Sequence, residues 1–193
     1  MISAVVLAAG MSRRMGRPKM LLPWEATTVL GRILQVIKAA DLGTVMVVTG
    51  ASRVEVEAIC TQAGVQHVLN PDYSSGEMLS SLQVGLRALP AESRAALVVL
   101  GDQPGIEPQV VSRLIDTYAE TGDSLIVPSY LHRRGHPWLV GRELWPRLCD
   151  MRPPETPRDF LHRRNGIIHY VEVDTASIIQ DIDTPDDYLK SRP

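Results

Sequence analysis

Cysteine and lysine are scarce in this chain, and long apolar runs are absent. The 193 residues include two cysteines, Cys60 and Cys149. They lie far apart and fit neither a CxxC metal pattern nor a disulfide framework. A reducing compartment follows, so a cytoplasmic protein is expected. No run reaches the roughly 18 apolar residues of a membrane span, and "MISAVVLAAG" lacks the basic n-region of a secretory signal. No membrane partner is therefore expected. The net charge of −2 and pI of about 6.2 provide no global field for nucleic acid, which is also not expected as a partner. Three further absences narrow the chemistry. There is no GxGxxG fingerprint, no GxxxxGK[ST] loop and no G-x-S-x-G elbow. The five histidines are dispersed, and no serine has a sequence-evident activating base.

What is present is an alternation. "ISAVVLA" (2–8), "TVMVVTG" (44–50), "VQHVL" (65–69), "AALVVLG" (95–101) and "SLIVP" (124–128) read as strands, most of them apolar enough to be buried on both faces. Between them, Val29, Leu30, Ile33, Leu34 and Ile37 repeat at helical spacing, as do Leu79, Leu82, Leu86 and Leu89, and Val110, Val111, Leu114, Ile115 and Tyr118. A short helix is read over 54–61. Ser74 stands three residues before Glu77, the spacing of a capping box. The pattern predicts an α/β fold: a three-layer Rossmann-like sandwich with a mostly parallel sheet and helices on both faces. After Pro128 the pattern loosens among prolines, with a strand-like "IIHYVEV" (167–173). No linker or repeat divides the chain, so a single domain, 1–193, is expected.

Ligands of such sheets bind beyond the carboxyl ends of the strands. The loop "LAAGMSRRMGRPK" leaves the first strand there. Its small residues allow close backbone approach, and successive N–H groups can cradle an anion. Arg13, Arg14, Arg17 and Lys19 add positive charge. Lys19 stands out because only three of the 20 basic residues are lysines. The residues alone leave two readings open, a polyphosphate cradle or a solvated basic connector.

Asp102, in "VVLGDQP", follows the fourth apolar run at the same sheet edge. It suits a Mg²⁺ ligand, since this ion commonly takes one or two carboxylates and fills its shell with phosphates and water. It equally suits the start of a turn before Pro104. In "DIDTPDD", Asp181 and Asp183 fall on one side of an extended segment, and either Thr184 or Asp183 can cap a helix with Pro185 in its first turn.

The loop resembles the signature L-x-G-G/A-x-G/S-x-R-M-G-x-x-K of nucleotidyltransferases that load sugar phosphates, alcohol phosphates and molybdopterin. Leu7, Gly10, Arg14, Met15, Gly16 and Lys19 fall on it, with Ala9 in place of a glycine. "KMLLPWEATTVL", "NPDYSSGEMLSSLQVGL", "VLGDQPGI", "RRGHPWLVGRELWPRL" and "DIDTPDDY" extend the likeness over almost the whole chain. In that order they resemble the molybdenum-cofactor cytidylyltransferase group of the MobA-like family.

The resemblance implies transfer of CMP from CTP to the terminal phosphate of molybdopterin, with release of pyrophosphate and with Mg²⁺ (or Mn²⁺) as cofactor. It implies catalytic roles for Lys19, Arg14 and Asp102. Leu7, Ala8, Ala9, Gly10, Gly16 and Lys19 would hold the nucleotide, joined by Asn70, Gly76 and Ser80. Those last three read equally as a turn residue, a helix-start glycine and a helix-surface hydroxyl. Asp102 and Asp183 would bind the metal. Gly135, His136 and Asp181 would meet the acceptor, although a lone histidine also suits a structural role. Residues 1–105 would be mainly nucleotide-binding, and 106–193 mainly acceptor-binding and metal-completing.

In the family, guanylyl-transferring members read "LAGG" and cytidylyl-transferring members "AAG"; Ala9 favours CTP over GTP. "MRPPETPRD" departs from the family, with more proline and less glycine on the acceptor side. Delivery to a molybdenum enzyme or its chaperone is a pathway expectation that no residue here locates. Three rivals stand beside this reading: a GTP-dependent or sugar-1-phosphate nucleotidyltransferase, a non-catalytic nucleotide- or cofactor-binding protein, and a dinucleotide-dependent oxidoreductase.

Overall fold

The structure, a computed structural model, describes residues 1–75 and 78–193. Each buried apolar run forms a strand. β1 (Ile2–Leu7) leads through the basic loop into a small hairpin, β2 (Pro23–Trp24) with β3 (Thr27–Thr28), and then into α1 (Val29–Lys38). β4 (Val45–Thr49), α2 (Arg53–Ala63), β5 (Gln66–Leu69), α3 (Met78–Ala88), β6 (Ala95–Leu100), α4 (Pro108–Thr121) and β7 (Leu125–Tyr130) follow in alternation. The last third holds β8 (Arg133–Arg134), β9 (Trp138–Gly141), α5 (Trp145–Asp150), α6 (Pro157–Arg163), β10 (His169–Glu172) and α7 (Pro185–Ser191). The Ser74–Glu77 capping box lies outside the described residues, because Glu77 is not among them.

The main sheet runs in the order β10-β7-β9-β6-β1-β4-β5, with β8 added to β7. β1 is parallel to β4 and β6, β4 to β5, and β7 to β10. β9 is antiparallel to both β6 and β7, a reversed strand inside the expected parallel sheet. A tight hairpin suffices to place an antiparallel neighbour, whereas a parallel one needs a long crossover. β8 and β9 are that hairpin return. Ser129 pairs with Arg134 and Ile126 with Leu139, so two extra residues bulge from the returning strand around Gly135, His136 and Pro137.

Period-two alternation sends Ala4, Val6 and Ala8 to one face, where they meet Leu30, Ile33 and Leu34 of α1 and Val111 and Leu114 of α4. Val5, Leu7 and Ala9 face the other side, with Leu79, Leu82 and Leu86 of α3, Leu148 of α5 and Phe160 of α6. Two cores thus share one sheet. The carboxyl ends of β1, β4 and β6 lie close together: a Cβ at Gly50 would fall 2.4 Å from the Ala9 carbonyl oxygen, and one at Gly101 2.7 Å from that of Leu7. Among the described residues no helix is long and apolar enough to cross a membrane.

Candidate active site

The loop after β1 folds upon Ser12. Its carbonyl accepts the N–H groups of Met15 (3.0 Å) and Gly16 (3.2 Å), and its hydroxyl accepts the Lys19 N–H at 3.1 Å. Ser12 (φ 51°) and Gly16 (φ 70°) both occupy the left-handed region. That conformation costs a non-glycine residue roughly 1–2 kcal/mol. Met15 and Met20 are buried in the core below and pin the loop, while Arg13, Arg14 and Arg17 remain exposed. Among the described residues, the backbone N–H groups of residues 10–14 donate to no protein acceptor. Residues 10–14 all line the cleft, so these N–H groups are available to an anion bound there.

Three distant segments meet beside this loop. Lys19 Nζ donates to Asp102 Oδ2 and, at 3.1 Å, to Asp183 Oδ1. Arg14 contacts the other Asp183 oxygen at 2.8 Å. Burial disfavours the Lys19 charge, but Asp102 and then Asp183 more than offset it, so the ammonium pKa is raised. The C-terminal segment is set by Ile182, buried in the core with its N–H on the Asp102 carbonyl at 3.0 Å. Its neighbours Asp181 and Asp183 consequently face the cleft. Thr184, not Asp183, caps α7: its hydroxyl accepts the Asp187 N–H at 3.2 Å, and Asp187 accepts the Thr184 N–H at 2.8 Å. Asp183 therefore keeps its carboxylate for the cleft. Asp181 accepts a hydrogen bond from Gln103 Nε2 at 2.5 Å. Desolvation, followed by the nearby charges of Asp102 and Asp183, raises the Asp181 pKa.

These groups line a cleft of about 470 Å³ with two unlike ends. One is charged, with Arg13, Arg14, Lys19, Asp102, Asp181 and Asp183. The other is largely apolar, with Leu7, Ala9, Tyr73, Met78 and Leu100. Of the residues expected at the site, Leu7, Ala9, Gly10, Arg14, Lys19, Asp102, Asp181 and Asp183 line this cleft. Ala8 does not: the alternation of β1 turns its side chain toward α1. Gly16 closes the loop turn without lining the cleft. Asn70 is fully buried; its amide donates to Ser80 (3.0 Å) and Ser81 (2.9 Å), and its Oδ1 accepts from the Asp72 N–H. Asn70 thus stands behind Ser81, and neither Asn70 nor the half-buried Ser80 is part of the cleft lining. Gly76 lies outside the described residues. Gly135 and His136 occupy the β8–β9 bulge, away from the cleft lining. A Cβ at Gly135 would fall 2.3 Å from the Ile178 carbonyl oxygen, which also accepts the His136 N–H at 2.8 Å.

Met11, Ser12, Met20, Tyr73, Met78, Ser81 and Leu100 also line the cleft without having been singled out in the sequence, and Arg13, read there only as loop charge, joins them. Ser12 had a signal, since it occupies the G/S position of the loop signature. Tyr73, Met78 and Ser81 had none beyond their place near the start of a helix.

The charged end fits a hard divalent cation. One ammonium touches both Asp102 and Asp183, so a single ion can reach both, and an all-oxygen carboxylate pair suits Mg²⁺ or Mn²⁺. No group of three or more His, Cys, Asp or Glu side chains encloses a metal among the described residues. The remaining ligands would be phosphates and water, the usual arrangement for Mg²⁺. The lining thus combines groups that could hold a polyanion and a divalent cation with apolar surface beside them.

Comparison with known proteins places the chain in a family. The MobA-like NTP transferase domain matches residues 4–167, and the chain belongs to this family. It is 31% identical over 99% of its length to the molybdenum cofactor cytidylyltransferase of Escherichia coli K12, covering 95% of that protein. It is also 31% identical to the nicotine blue oxidoreductase of Paenarthrobacter nicotinovorans, covering 95% of this chain and 92% of that one. Among solved structures, Rv0371c of Mycobacterium tuberculosis H37Rv superposes with a TM-score of 0.86 and 31% identity, over 98% of this chain and 96% of that one. The same mycobacterial protein has been solved in complex with manganese (TM-score 0.82, 29% identity, 98% and 96% coverage).

Proposed function

We propose that this protein transfers CMP from CTP to the terminal phosphate of molybdopterin and releases pyrophosphate, with Mg²⁺ or Mn²⁺ as cofactor. One observation carries this reading: Lys19 bridges Asp102 and Asp183 at the charged end of a cleft whose apolar end is lined by Ala9. The full-length likeness to a molybdenum cofactor cytidylyltransferase supports it, as does the manganese complex of a related protein.

In this reading the triphosphate lies along residues 10–14, where free N–H groups and Arg14 neutralise it. The base lies between Leu7, Ala9 and Leu100, and Ser81 and the Tyr73 hydroxyl supply polar atoms. The acceptor phosphate attacks the α-phosphorus, and the bond to the β-phosphate breaks. That phosphate is already anionic near neutral pH, so a protein base is not required. Lys19 and Arg14 stabilise the charge that gathers on pyrophosphate. A divalent cation held by Asp102 and Asp183 supplies Lewis-acid stabilisation and a template when bound. In this reading Asp181 faces the acceptor from the cleft lining, and Gly135 and His136 would meet it from the β8–β9 bulge beyond that lining. Burial lowers the His136 pKa to about 4, so the imidazole meets an acceptor uncharged.

A second reading has its own support, because an oxidoreductase relative also shares 31% identity, over a slightly smaller part of the chain than the transferase. Calorimetric titration of CTP, GTP, ATP and NAD, with and without Mg²⁺, separates the two on wild type and Asp102→Ala. The transferase reading expects metal-dependent binding of CTP above GTP, lost in the variant, and pyrophosphate release on adding molybdopterin. GTP preference would move the assignment to guanylyl transfer. Binding of NAD alone would favour redox chemistry and end the transferase reading.

A further inference from the structure

Lys19 Nζ touches two carboxylates from distant parts of the chain, Asp102 after β6 and Asp183 before α7. A divalent cation held by those two oxygens would claim the same acceptors that the ammonium now occupies. The Lys19 side chain is only 11% exposed and that of Asp102 16%, so repulsion between the two cations would be weakly screened. Ammonium and metal therefore exclude each other at this carboxylate pair.

The lysine has somewhere else to go. Its backbone is pinned by the hydrogen bond to Ser12, but its stem is a flexible four-carbon chain ending in a point charge. Ser12, Arg14 and the amides of residues 10–14 lie along the same cleft.

Building on the transferase reading above, we infer that Lys19 competes with the divalent cation for Asp102 and Asp183. The nucleotide polyphosphate ends that competition by drawing the ammonium onto its own oxygens. Lys19 is thus the coupling element between metal and nucleotide. The metal alone binds weakly, and the two ligands bind cooperatively. Arg14 acts in the same direction but less strongly, because its side chain is 71% exposed.

The test is a Mn²⁺ titration without nucleotide, followed by electron paramagnetic resonance of the free ion, on wild type, Lys19→Gln and Lys19→Arg. Lys19→Gln should bind Mn²⁺ about 10-fold more tightly than wild type, within the usual range of coupling between sites. Lys19→Arg, which keeps the charge, should stay near wild type. Adding Asp102→Asn to Lys19→Gln should abolish the gain. Mn²⁺ should also raise the melting temperature of Lys19→Gln more than that of wild type.

A second measurement needs no variant. The chain has three lysines, so ¹³Cε-lysine labelling yields few side-chain resonances. The Lys19 signal should shift with Mg²⁺ plus CTP and barely move with Mg²⁺ alone. Unchanged or weaker Mn²⁺ binding by folded Lys19→Gln, with wild type still binding Mn²⁺ alongside CTP, would overturn the coupling and leave the transferase reading standing. A Lys19 resonance unmoved by Mg²⁺ plus CTP would overturn it too. Failure of wild type to bind Mn²⁺ even with CTP would sink both.

Discussion

Ala9 illustrates how much can turn on one side chain. It lines the cleft beside Leu7 and Leu100, and Gly50 packs closely against it. Ala9→Gly therefore removes one methyl without freeing the strand end. Transfer assays with both nucleotides should show the ratio of kcat/KM for CTP over GTP falling about 10-fold, the usual worth of a methyl-sized difference in a pocket. An unchanged ratio would assign base selection to Ser81 or Tyr73 instead. At this scale the sequence was informative where a residue sits on a signature loop. Lys19 and Arg14 were legible as cleft residues in that way, and Asp102 from its place just after a buried strand. Asn70 and Ser80 were read as ligand contacts; the fold adds that the buried Asn70 amide holds Ser80 and Ser81 together, and it is Ser81 that lines the cleft. Hydrogen-bond partners that distant cannot be read from spacing.

Elements carry strain and protons that single residues do not reveal. The β7–β8 hairpin turns through Leu131 (φ 49°) and His132 (φ 62°), both left-handed and neither glycine. A two-residue turn of this kind favours Asn-Gly. Leu131 is 72% exposed, so little packing is at stake. Leu131→Asn with His132→Gly should raise stability by about 1 kcal/mol, set by relief of left-handed strain less the entropy of glycine, and the urea midpoint should rise. In the adjoining bulge, His136 titrates near 4 when folded, against 6.5 for the free group. Between those values the unfolded chain binds the proton and the folded chain does not. Stability should therefore fall as pH drops from about 6.5 toward 4, with this group contributing on the order of 3 kcal/mol. Urea unfolding at pH 7 and pH 4.5 checks this: wild type should lose about 2 kcal/mol more than His136→Gln. Equal losses would mean that the folded imidazole is solvated.

Across the whole molecule, the two cores share one sheet, and β6 from the first half is hydrogen-bonded to β9 from the second. The halves should consequently unfold together. Leu34, 1% exposed in one core, and Leu82, 0% exposed in the other, test this. Each truncation to Ala should lower stability by about 2–5 kcal/mol. Calorimetry should show one transition that moves as a whole in both variants and in their combination. A resolved second transition in either would mean that the halves are separate folding units.

By itself the sequence determined the alternation of buried strands and amphipathic helices, and it brought the basic loop and Asp102 to one sheet edge. Local periodicity and the carboxyl-end rule are enough for that, because strand burial and helix faces are written in neighbouring residues. It also anticipated Asp181 and Asp183 on one side of their segment. Three things were left to the tertiary structure. β9 runs backwards between β6 and β7, because a four-residue strand among prolines carries no directional signal. Ala8 leaves the cleft while Leu7 and Ala9 stay, because the facing of a strand depends on which helix layer covers each side. Lys19 meets Asp183 across 164 positions, because only the docking of Ile182 into the core brings the end of the chain back to its first loop.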